Sequence, residues 1–454
     1  MLFKHGLSGL INVSGGGGAS PFSPYAANSI TPEFVGDFAN ATPFFGFSSS
    51  ASTFSSMFSF SRASIATYTD SAGDIQEATS GTARENSYYY NGASYVKGGL
   101  RLEKTAATNG VLQSESFATT PWVGDNITPT TSAIVSPDGT NFADEFDDGT
   151  SFTTRKRVYQ QNVSGGTTAT NAPWTYSIYF YPDTHRYIRF DMSSYINVIV
   201  DLNTTPVVDT ETVGANCTLD YTRILNVGGG WYRYICACSV LDSAGGTITG
   251  RVNFLSDTKT ENYTGTNEKV HFWGAQIEEG RIATSYIPTT TGTVTRAAEV
   301  LTAAGADTPA NTSAMSIKLS GLINYSDEGT AAQETLLRWQ ADASNYIILD
   351  MDTDGAATGE INANQNAAGT LDTVVAAAEY SPGSNVAFSV ASRHTSGAIN
   401  VAKDGTAATA DTTPTALAGL TTTALEIGYD FNGFISEVIV WGADVADAGI
   451  GETS

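Results

Sequence analysis

The feature that most constrains the fold is an alternation of side-chain character with a period of two, which runs through most of the chain after the first sixty residues. Residues 174–181 (WTYSIYFY) and 231–236 (WYRYIC) are rich in aromatic and β-branched side chains, as β-strands are. Glycines 228–230 precede the second run, and the Asp-Gly pairs at 354–355 and 404–405 are typical of hairpin turns. No convincing amphipathic helix interrupts this pattern. Short strands separated by turns predict an all-β chain of tandem antiparallel β-sandwiches of jelly-roll type.

The length of 454 residues corresponds to about three units at ~150 residues each. The changes in composition along the chain suggest four segments. We expect an irregular N-terminal arm over 1–60, a connecting β segment over 61–109, a first sandwich over 110–300 and a second over 301–454.

The first sixty residues are nearly uncharged, because only Lys4, Glu33 and Asp37 carry a charge there. They are also rich in phenylalanine, unlike a disordered tail. Exposed phenylalanines promote aggregation, so the tract either covers this chain's own domains or docks on other copies or a larger assembly. We favour docking, because residues 44–60 show no clean strand or helix period. The predicted anchoring residues are Phe34, Phe38, Phe44, Phe45, Phe47, Phe54 and Phe58.

The charge balance excludes two classes of partner. Lysine and arginine total 22 against 46 acidic residues, a formal net charge of −24. Nucleic acid and anionic membrane surfaces both require a basic face, and the one basic run, at 155–157, is too short to provide it. No window approaches the ~18 apolar residues of a membrane span. We therefore expect neither nucleic-acid binding nor membrane insertion.

The cysteines and the first residues indicate the compartment in which the chain folds. Three cysteines are too few and too sparse for a disulfide framework. Cys236 and Cys238 lie two apart in a strand-like run, so both point to one face, where we expect them, like Cys217, to act as small apolar core residues. The first residues lack the apolar stretch of a signal peptide. These features together predict folding in a reducing cytoplasm.

Asp350, Asp352 and Asp354 are the candidate metal ligands, and Ca²⁺ is the one cofactor that the sequence suggests. Alternating carboxylates followed by a glycine resemble the start of a calcium loop. That loop requires a glutamate at the position of Ile361, whereas Glu360 is one place early. We therefore favour a hairpin with an acidic tip and keep calcium as the alternative.

The sequence offers no catalytic residue, and we expect the chain not to be an enzyme. Its four histidines are scattered, and neither a nucleophile elbow nor a zinc-protease helix is present. Glu278 and Glu279 are adjacent, so in a strand they point to opposite faces and do not form a glycosidase pair.

Carbohydrate binding is the activity that the strand pattern favours. Tyr176, Ile178 and Phe180 alternate with Ser177, Tyr179 and Tyr181, so the two sets point to opposite faces of the strand. Such aromatic and arginine side chains line a sugar groove or, as we consider more probable, an interface with a sister subunit. The candidate carbohydrate-binding residues are Tyr179, Tyr181, Tyr187, Arg189, Trp231 and Arg233.

Several segments between residues 60 and 300 resemble, in the same order, a family of bacteriophage virion proteins that comprises tail fibre and minor structural proteins. In that family these segments begin, cross and end a jelly roll similar to carbohydrate-binding modules. The resemblance implies that Tyr176, Ile178 and Phe180 lie on the core face of this jelly roll. The matching segments are FSRASIATY at 60–68, GGLRLE at 98–103, TNGVLQSESF at 108–117, GGWYR at 229–233, WGAQIEEG at 273–280, ATSYIPT at 283–289 and VTRAA at 294–298. One departure is Ala107, where the family often has arginine.

The last part of the chain resembles laminin-G-like, or concanavalin-like, sandwiches. The segments that carry this resemblance are the closing run at 425–441 and the hairpin INVAKDG at 399–405. The match is the weaker of the two, because such patterns mainly encode strand alternation.

Together the resemblances imply a structural virion protein, namely a phage tail fibre or receptor-binding component. Its N-terminal arm is expected to contact other virion proteins such as the tail hub, baseplate or capsid, and its sandwiches to contact host-surface glycan. The family implies a homotrimer, made in the host cytoplasm and located at the tail tip or particle exterior. A capsid-decorating or head-fibre protein is the first alternative. A glycan-degrading enzyme with accessory binding modules is the second.

Overall fold

Antiparallel strands make up most of the computed structural model, which describes residues 25–40, 44–45, 51–161, 163, 172–241, 248–303, 313–329, 332–417, 420 and 423–453. Within these ranges the α-helices are α1 (Phe54–Met57) and α2 (Ala446–Thr453). The all-β prediction is confirmed. The glycine run at 15–18 and Phe47 lie outside the described residues.

The described strands are numbered in chain order. The strands before the first sandwich are β1 Phe34–Asp37, β2 Phe44–Phe45, β3 Ala51–Ser52, β4 Phe58–Ser61, β5 Ala66–Thr69, β6 Ile75–Ala78, β7 Arg84–Tyr90, β8 Tyr95–Glu103 and β9 Ala107–Asn109. The strands of the first sandwich are β10 Val123–Asp125, β11 Thr130–Val135, β12 Phe142–Asp147, β13 Lys156–Gln160, β14 Pro173–Pro182, β15 Tyr187–Met192, β16 Ile196–Asp201, β17 Val207–Val213, β18 Cys217–Gly228, β19 Trp231–Val240, β20 Gly250–Leu255 and β21 Lys269–Glu279. The strands that follow are β22 Val294–Arg296, β23 Val300–Ala303, β24 Ala314–Tyr325, β25 Gln333–Asp342, β26 Asn345–Asp352, β27 Ile361–Ala367, β28 Thr370–Ala376, β29 Gly383–Thr395, β30 Ile399–Lys403, β31 Thr406–Ala407, β32 Leu425–Ile427 and β33 Asn432–Trp441.

The first sandwich consists of two six-stranded antiparallel sheets. Their strand orders are β10-β13-β20-β15-β16-β17 and β11-β12-β21-β14-β19-β18. The predicted core face of β14 is confirmed, because Tyr176, Ile178 and Phe180 are buried between the two sheets. Cys236 and Cys238 lie in the same core as reduced thiols.

The turn between β18 and β19 explains why three consecutive glycines precede Trp231. Gly228, Gly229 and Gly230 have φ values of 88°, 62° and 85°, a left-handed conformation that side chains with a Cβ resist. The turn allows β18 and β19 to pair, with Gly228 opposite Trp231.

The second sandwich packs a ten-stranded sheet against a seven-stranded sheet. The larger sheet contains β3-β2-β1-β33-β24-β29-β30-β31, with β8 and β7 also attached through β33, and the smaller runs β28-β27-β26-β25-β32-β23-β4. Met315, Ile317 and Leu319 on β24 point into the core between the sheets. Helix α2 covers part of the outer face of the larger sheet, where Val445 and Ile450 pack near Trp441.

The predicted boundary at residue 60 is wrong, because the N-terminal segment contributes strands to both sheets of the second sandwich. Strand β1 pairs with β33, placing Phe34 opposite Val440, and β4 pairs with β23. These pairings join the start of the chain to its end, so the second sandwich is not confined to residues 301–454.

The aromatic tract covers this chain's own core rather than forming a free anchoring arm. Phe34, Phe38 and Phe58 are at most 5% exposed within the core of the second sandwich, and Phe54 packs against them. Their rings contact one another, with the centroids of Phe34 and Phe58 5.6 Å apart. Phe44 and Phe45 form β2, which pairs with β1. The docking interpretation is therefore corrected for the buried members, whose apolar surface is already removed from solvent.

Between the sandwiches lies a connecting region of two small sheets and the hairpin of β7 and β8. Strand β5 pairs with β6, and β9 pairs with β22. Strand β8 pairs with both β7 and β33, so the connecting region joins the larger sheet of the second sandwich. In the described part of the chain, no helix has the length and apolar character that a membrane crossing needs.

Candidate functional site

The six predicted sugar-binding residues do not form one face. Tyr187 and Arg189 lie on β15, in the opposite sheet of the first sandwich from β14 and β19, which carry the other four. Tyr187 is 6% exposed. Arg189 is ion-paired with Asp191 and Glu261. The predicted sugar groove is therefore wrong. Strand alternation shows that a side chain points away from the core, but it does not show on which of the two sheets that outer face lies.

The outer face of β14 and β19 is covered by other parts of the same chain. Tyr179 and Trp231 are 6% and 5% exposed, and they pack in one cluster with Trp273 and Tyr286. Ile75, from the β5–β6 hairpin, packs on this cluster. Tyr181 lies at the edge of this cluster and is half-buried, with its ring 5.7 Å from that of Trp231. These aromatics thus serve as an internal interface.

A buried cluster of ion pairs lies where the two sandwiches and the connecting region meet. Arg84 Nη2 lies 2.6 Å from Glu299 Oε2 and 2.9 Å from Glu103 Oε2. Arg62 Nη1 lies 2.7 Å from Glu299 Oε1, and Arg296 Nε lies 3.1 Å from Glu103 Oε2. All of these side chains are at most 1% exposed. We call these five residues the junction network.

The junction network brings together several of the segments that the sequence analysis singled out. Arg62, Glu103 and Arg296 come from three of those segments, and Ser285, from a fourth, donates its backbone N–H to Glu103. Burial disfavours the charged form of Glu103, but the positive charges of Arg296, Arg84 and Arg101 outweigh this effect of burial. They hold the pKa of Glu103 well below its ordinary value. The carboxylate therefore stays ionised at neutral pH and fixes the motifs to one another.

Beside the junction network, a cleft opens between the sandwiches. Its cavity volume is about 160 Å³. The β7 side contributes the three consecutive residues Tyr88, Tyr89 and Tyr90, which are half-buried. The remaining polar lining residues are Thr69, Arg101, Asn226, Arg233, Asn324, Ser384 and Asn385. We call this the junction cleft; a second depression of about 210 Å³, which includes Tyr95, shares Thr69 and Tyr179 with it.

Two arginines of the junction cleft each have one N–H donor without an acceptor among the described residues. Arg101 donates from Nη2 to Glu103, and its guanidinium lies 4.9 Å from the centre of the Phe434 ring. Arg233 donates to the Thr284 carbonyl and to Ser177 Oγ. Yet Nε of each is buried and has no acceptor among the residues that the structure describes. Buried donors of this kind are costly unless a ligand or water supplies an acceptor.

The predicted calcium loop is a hydrogen-bonded hairpin. Asp350 lies on β26 opposite Asn362 on β27. Its Oδ1 and Oδ2 accept hydrogen bonds from the amides of Asn362 and Asn364 at 2.9 and 2.8 Å. Asp354 precedes a short 3₁₀ turn at Gly355–Ala357. The pairing of β26 with β27 agrees with the favoured interpretation, a hairpin with an acidic tip, and calcium binding by Asp350, Asp352 and Asp354 stays a prediction.

Glu278, Glu279 and His394 differ in their exposure and in their hydrogen bonds. Glu278 is 1% exposed and hydrogen-bonded to Gln276 and Thr284, whereas Glu279 is exposed, as alternation predicts. His394 lies 3.0 Å from Ser392 Oγ, but both residues are fully buried. Burial lowers the pKa of His394 to about 3.

One group of potential metal ligands was not apparent from the sequence. Asp148, His185 and Glu268 place three ligand atoms within 4.8 Å of one another. His185 Nδ1 lies 4.0 Å from Asp148 Oδ2 and 3.5 Å from Glu268 Oε2. They lie in three separate loops, after β12, between β14 and β15, and before β21, so no spacing rule connects them.

Comparison with known proteins gives similarity in architecture alone. No family model and no curated protein matches the chain. Among solved structures, the Ruminococcus gnavus IT-sialidase CBM40 bound to α2,3-sialyllactose is similar at 15% identity and a TM-score of 0.25, over 32% of this chain and 83% of that one. Domain 4 of AbnA, a GH43 extracellular arabinanase from Geobacillus stearothermophilus, is similar at 14% identity and a TM-score of 0.26, over 38% and 81%. A mutant Trypanosoma rangeli sialidase has 10% identity and a TM-score of 0.24, over 69% and 59%. Such low identities and TM-scores carry no inference about the role or the ligand of this chain.

Proposed function

We propose that this chain is a structural, non-enzymatic protein of a bacteriophage particle, a tail fibre or receptor-binding component, that binds host-surface glycan in the junction cleft. The observation that carries the proposal is the cleft itself, in which half-buried tyrosines face buried arginine donors without acceptors. Pockets that combine aromatic walls with a few fixed polar groups are typical binding sites for small ligands.

The chemistry of the junction cleft suits a sugar. Tyrosine rings present flat apolar surface to the C–H face of a pyranose, and Asn226 and Asn385 offer amides to its hydroxyl groups. The Nε donors of Arg101 and Arg233 favour a carboxylate-bearing sugar, because charge-assisted bonds to guanidinium are stronger than neutral ones. A cavity of about 160 Å³ holds a terminal residue rather than a long chain.

The proposed virion role is supported by the positions in the structure of the motifs that resemble phage virion proteins. Arg62, Glu103, Ser285 and Arg296 come from four segments that are far apart in the sequence and meet in one buried cluster. Their order in the family therefore corresponds to one structural unit here, a rigid junction suited to a projecting fibre. Attachment through the buried phenylalanines is not part of the proposal, since those side chains are already in the core.

Glycan-array binding of the full chain tests the proposed site. We expect binding to sugars, strongest for acidic ones, and a loss of at least tenfold in affinity for Tyr88→Ala and Tyr90→Ala, because a stacking surface is removed. Tyr346→Ala is the matched control, since Tyr346 is also half-buried but lies on β26, away from the cleft. Binding that survives both cleft substitutions, or no binding across the array, contradicts the proposal.

The remaining parts of the proposal have separate tests. Incubation with the bound glycans should release no product, and turnover would contradict the non-enzymatic role.

Light scattering coupled to size exclusion should give three times the chain mass of 47.6 kDa if the chain is a trimer. Labelling of purified particles with an antibody to this chain should mark the tail tip, whereas label over the head would favour a decoration or head-fibre protein. The laminin-G-like assignment of the last segment also stays a proposal.

A further inference from the structure

We propose that Asp148, His185 and Glu268 form a binding site for Zn²⁺ at one end of the first sandwich, separate from the junction cleft. The three ligand atoms converge within 4.8 Å, a spacing that one divalent ion can bridge with small movements of the side chains.

The tautomer of His185 is the first argument. Its Nε2 lies 3.0 Å from the carbonyl oxygen of Tyr187, which can only accept a hydrogen bond, so Nε2 carries the proton. The neutral ring then presents the lone pair of Nδ1 to two carboxylate oxygens. His185 is 2% exposed, and its Nδ1 has no hydrogen-bond partner among the described residues. Three electron-pair donors that converge, two of them buried, are stabilised by a cation between them.

The orientation of Asp148 is the second argument. Its Oδ1 accepts hydrogen bonds from the backbone N–H groups of Thr266 and Glu268 at 3.0 and 2.9 Å. This leaves Oδ2 buried and directed toward His185, with the hydroxyl of Tyr263 as its neighbouring side-chain donor. Both buried ligands are thus held by outer-shell hydrogen bonds, as metal ligands usually are.

Lys156 acts electrostatically on Asp148 and His185, but its hydrogen bonds go to backbone carbonyls. Lys156 is 1% exposed, and its Nζ donates to the carbonyl oxygens of Tyr263 and Phe152 at 2.7 and 3.1 Å, with that of Thr154 at 3.5 Å. Its protons are therefore directed to backbone carbonyls, which leaves the two carboxylates available to a metal ion.

The donor set selects the ion. One imidazole nitrogen and two carboxylate oxygens suit Zn²⁺, whereas Ca²⁺ prefers six to eight oxygen ligands. The Glu268 side chain is 34% exposed, so it leaves a path for the ion to enter and room for water as a further ligand. The bound ion would connect three loops and so stabilise that end of the sandwich.

Metal titration of the untagged, EDTA-treated full chain tests the site. We expect calorimetry to show one Zn²⁺ per chain, weaker binding of Ca²⁺, and a rise in melting temperature with Zn²⁺. Co²⁺ in place of Zn²⁺ should give visible absorption bands typical of a site with protein ligands.

Two variants and a control assign the ligands. Glu268→Gln and His185→Gln should weaken Zn²⁺ binding by at least ~10-fold. Asp257→Asn is the control, since Asp257 is an exposed carboxylate near the group but not one of its three ligands, and its affinity should stay within twofold. Glu268 lies at the rim, so its variant keeps the test decisive if His185→Gln does not fold. Absence of Zn²⁺ binding overturns the proposal, and affinity unchanged in Glu268→Gln overturns it as well.

Discussion

Asp350 is the residue whose chemistry depends most clearly on its surroundings. It is 2% exposed on β26, and its carboxylate accepts hydrogen bonds from Asn362 and Asn364. Burial, with the neighbouring charge of Asp352, outweighs these hydrogen bonds and raises the pKa of Asp350 to about 6 from an ordinary value of 3.8. The sequence could mark Asp350 as acidic and part of a hairpin, but its depth in the sheet comes from strands that are distant in the chain.

We predict that Asp350→Asn removes a pH dependence of stability between about pH 4 and 6. The folded state of the native chain binds a proton more tightly than the unfolded state there, so its stability falls as the pH rises through that window. The effect is about 1.4 kcal/mol for each pH unit between the two pKa values. Thermal melting from pH 4 to 7 measures it.

The control for this substitution is Asp354→Asn, which changes an aspartate in the same turn. Asp350→Asn should flatten the dependence of the melting temperature on pH relative to the native chain. A slope shared by all three proteins would show that Asp350 is not the titrating group.

At the level of elements, the N-terminal segment shows that a short strand cannot be recognised from its own sequence pattern. Strand β1 has four residues, too few to display a period, and its partner β33 lies about 400 positions later in the chain. Strand β14 has ten residues and was predictable, including which side chains face the core. The length of an element thus decided whether its alternation could be recognised.

We predict that deletion of residues 1–60 prevents folding of the second sandwich. It removes β1 and the buried side chains of Phe34, Phe38 and Phe58, each worth ~3–5 kcal/mol on truncation to alanine, against a typical total stability of 5–15 kcal/mol. Circular dichroism and solubility should show the loss. Deletion of residues 1–24 is the control and should leave a folded protein, because it keeps every described strand. A folded 61–454 fragment with the native melting temperature would instead support the free-arm interpretation.

At the level of the whole molecule, the junction network joins the connecting region to the second sandwich. Its five residues lie on β7, β8 and β22, just after β4 and just before β23, and their charges are almost completely excluded from water. Ser285, in the segment that follows β21 of the first sandwich, donates its backbone N–H to Glu103. Removing one partner from such a cluster is costly because the others remain buried without compensation.

We predict that Arg84→Met lowers the free energy of unfolding by ~3–5 kcal/mol, because Glu103 and Glu299 lose a buried counter-charge. Arg155→Met is the matched control, since Arg155 forms a 3.3 Å ion pair with Asp125 but its side chain is 49% exposed. The control should change stability by at most ~1 kcal/mol. Urea unfolding measures both, and equal effects would argue against a junction role for the network.

The sequence by itself determined the local structure. Period-two alternation identified the all-β class, the two faces of β14 and the shared face of Cys236 and Cys238, and the Asp-Gly pair at 354–355 identified the hairpin after Asp350, because each depends on neighbours within a few positions. Only the tertiary structure decided which outer face is covered, where Phe34 packs, and which charges meet at the junction and beside His185. These follow from the pairing of strands that are far apart in the chain, and such pairing has no signature within any one segment.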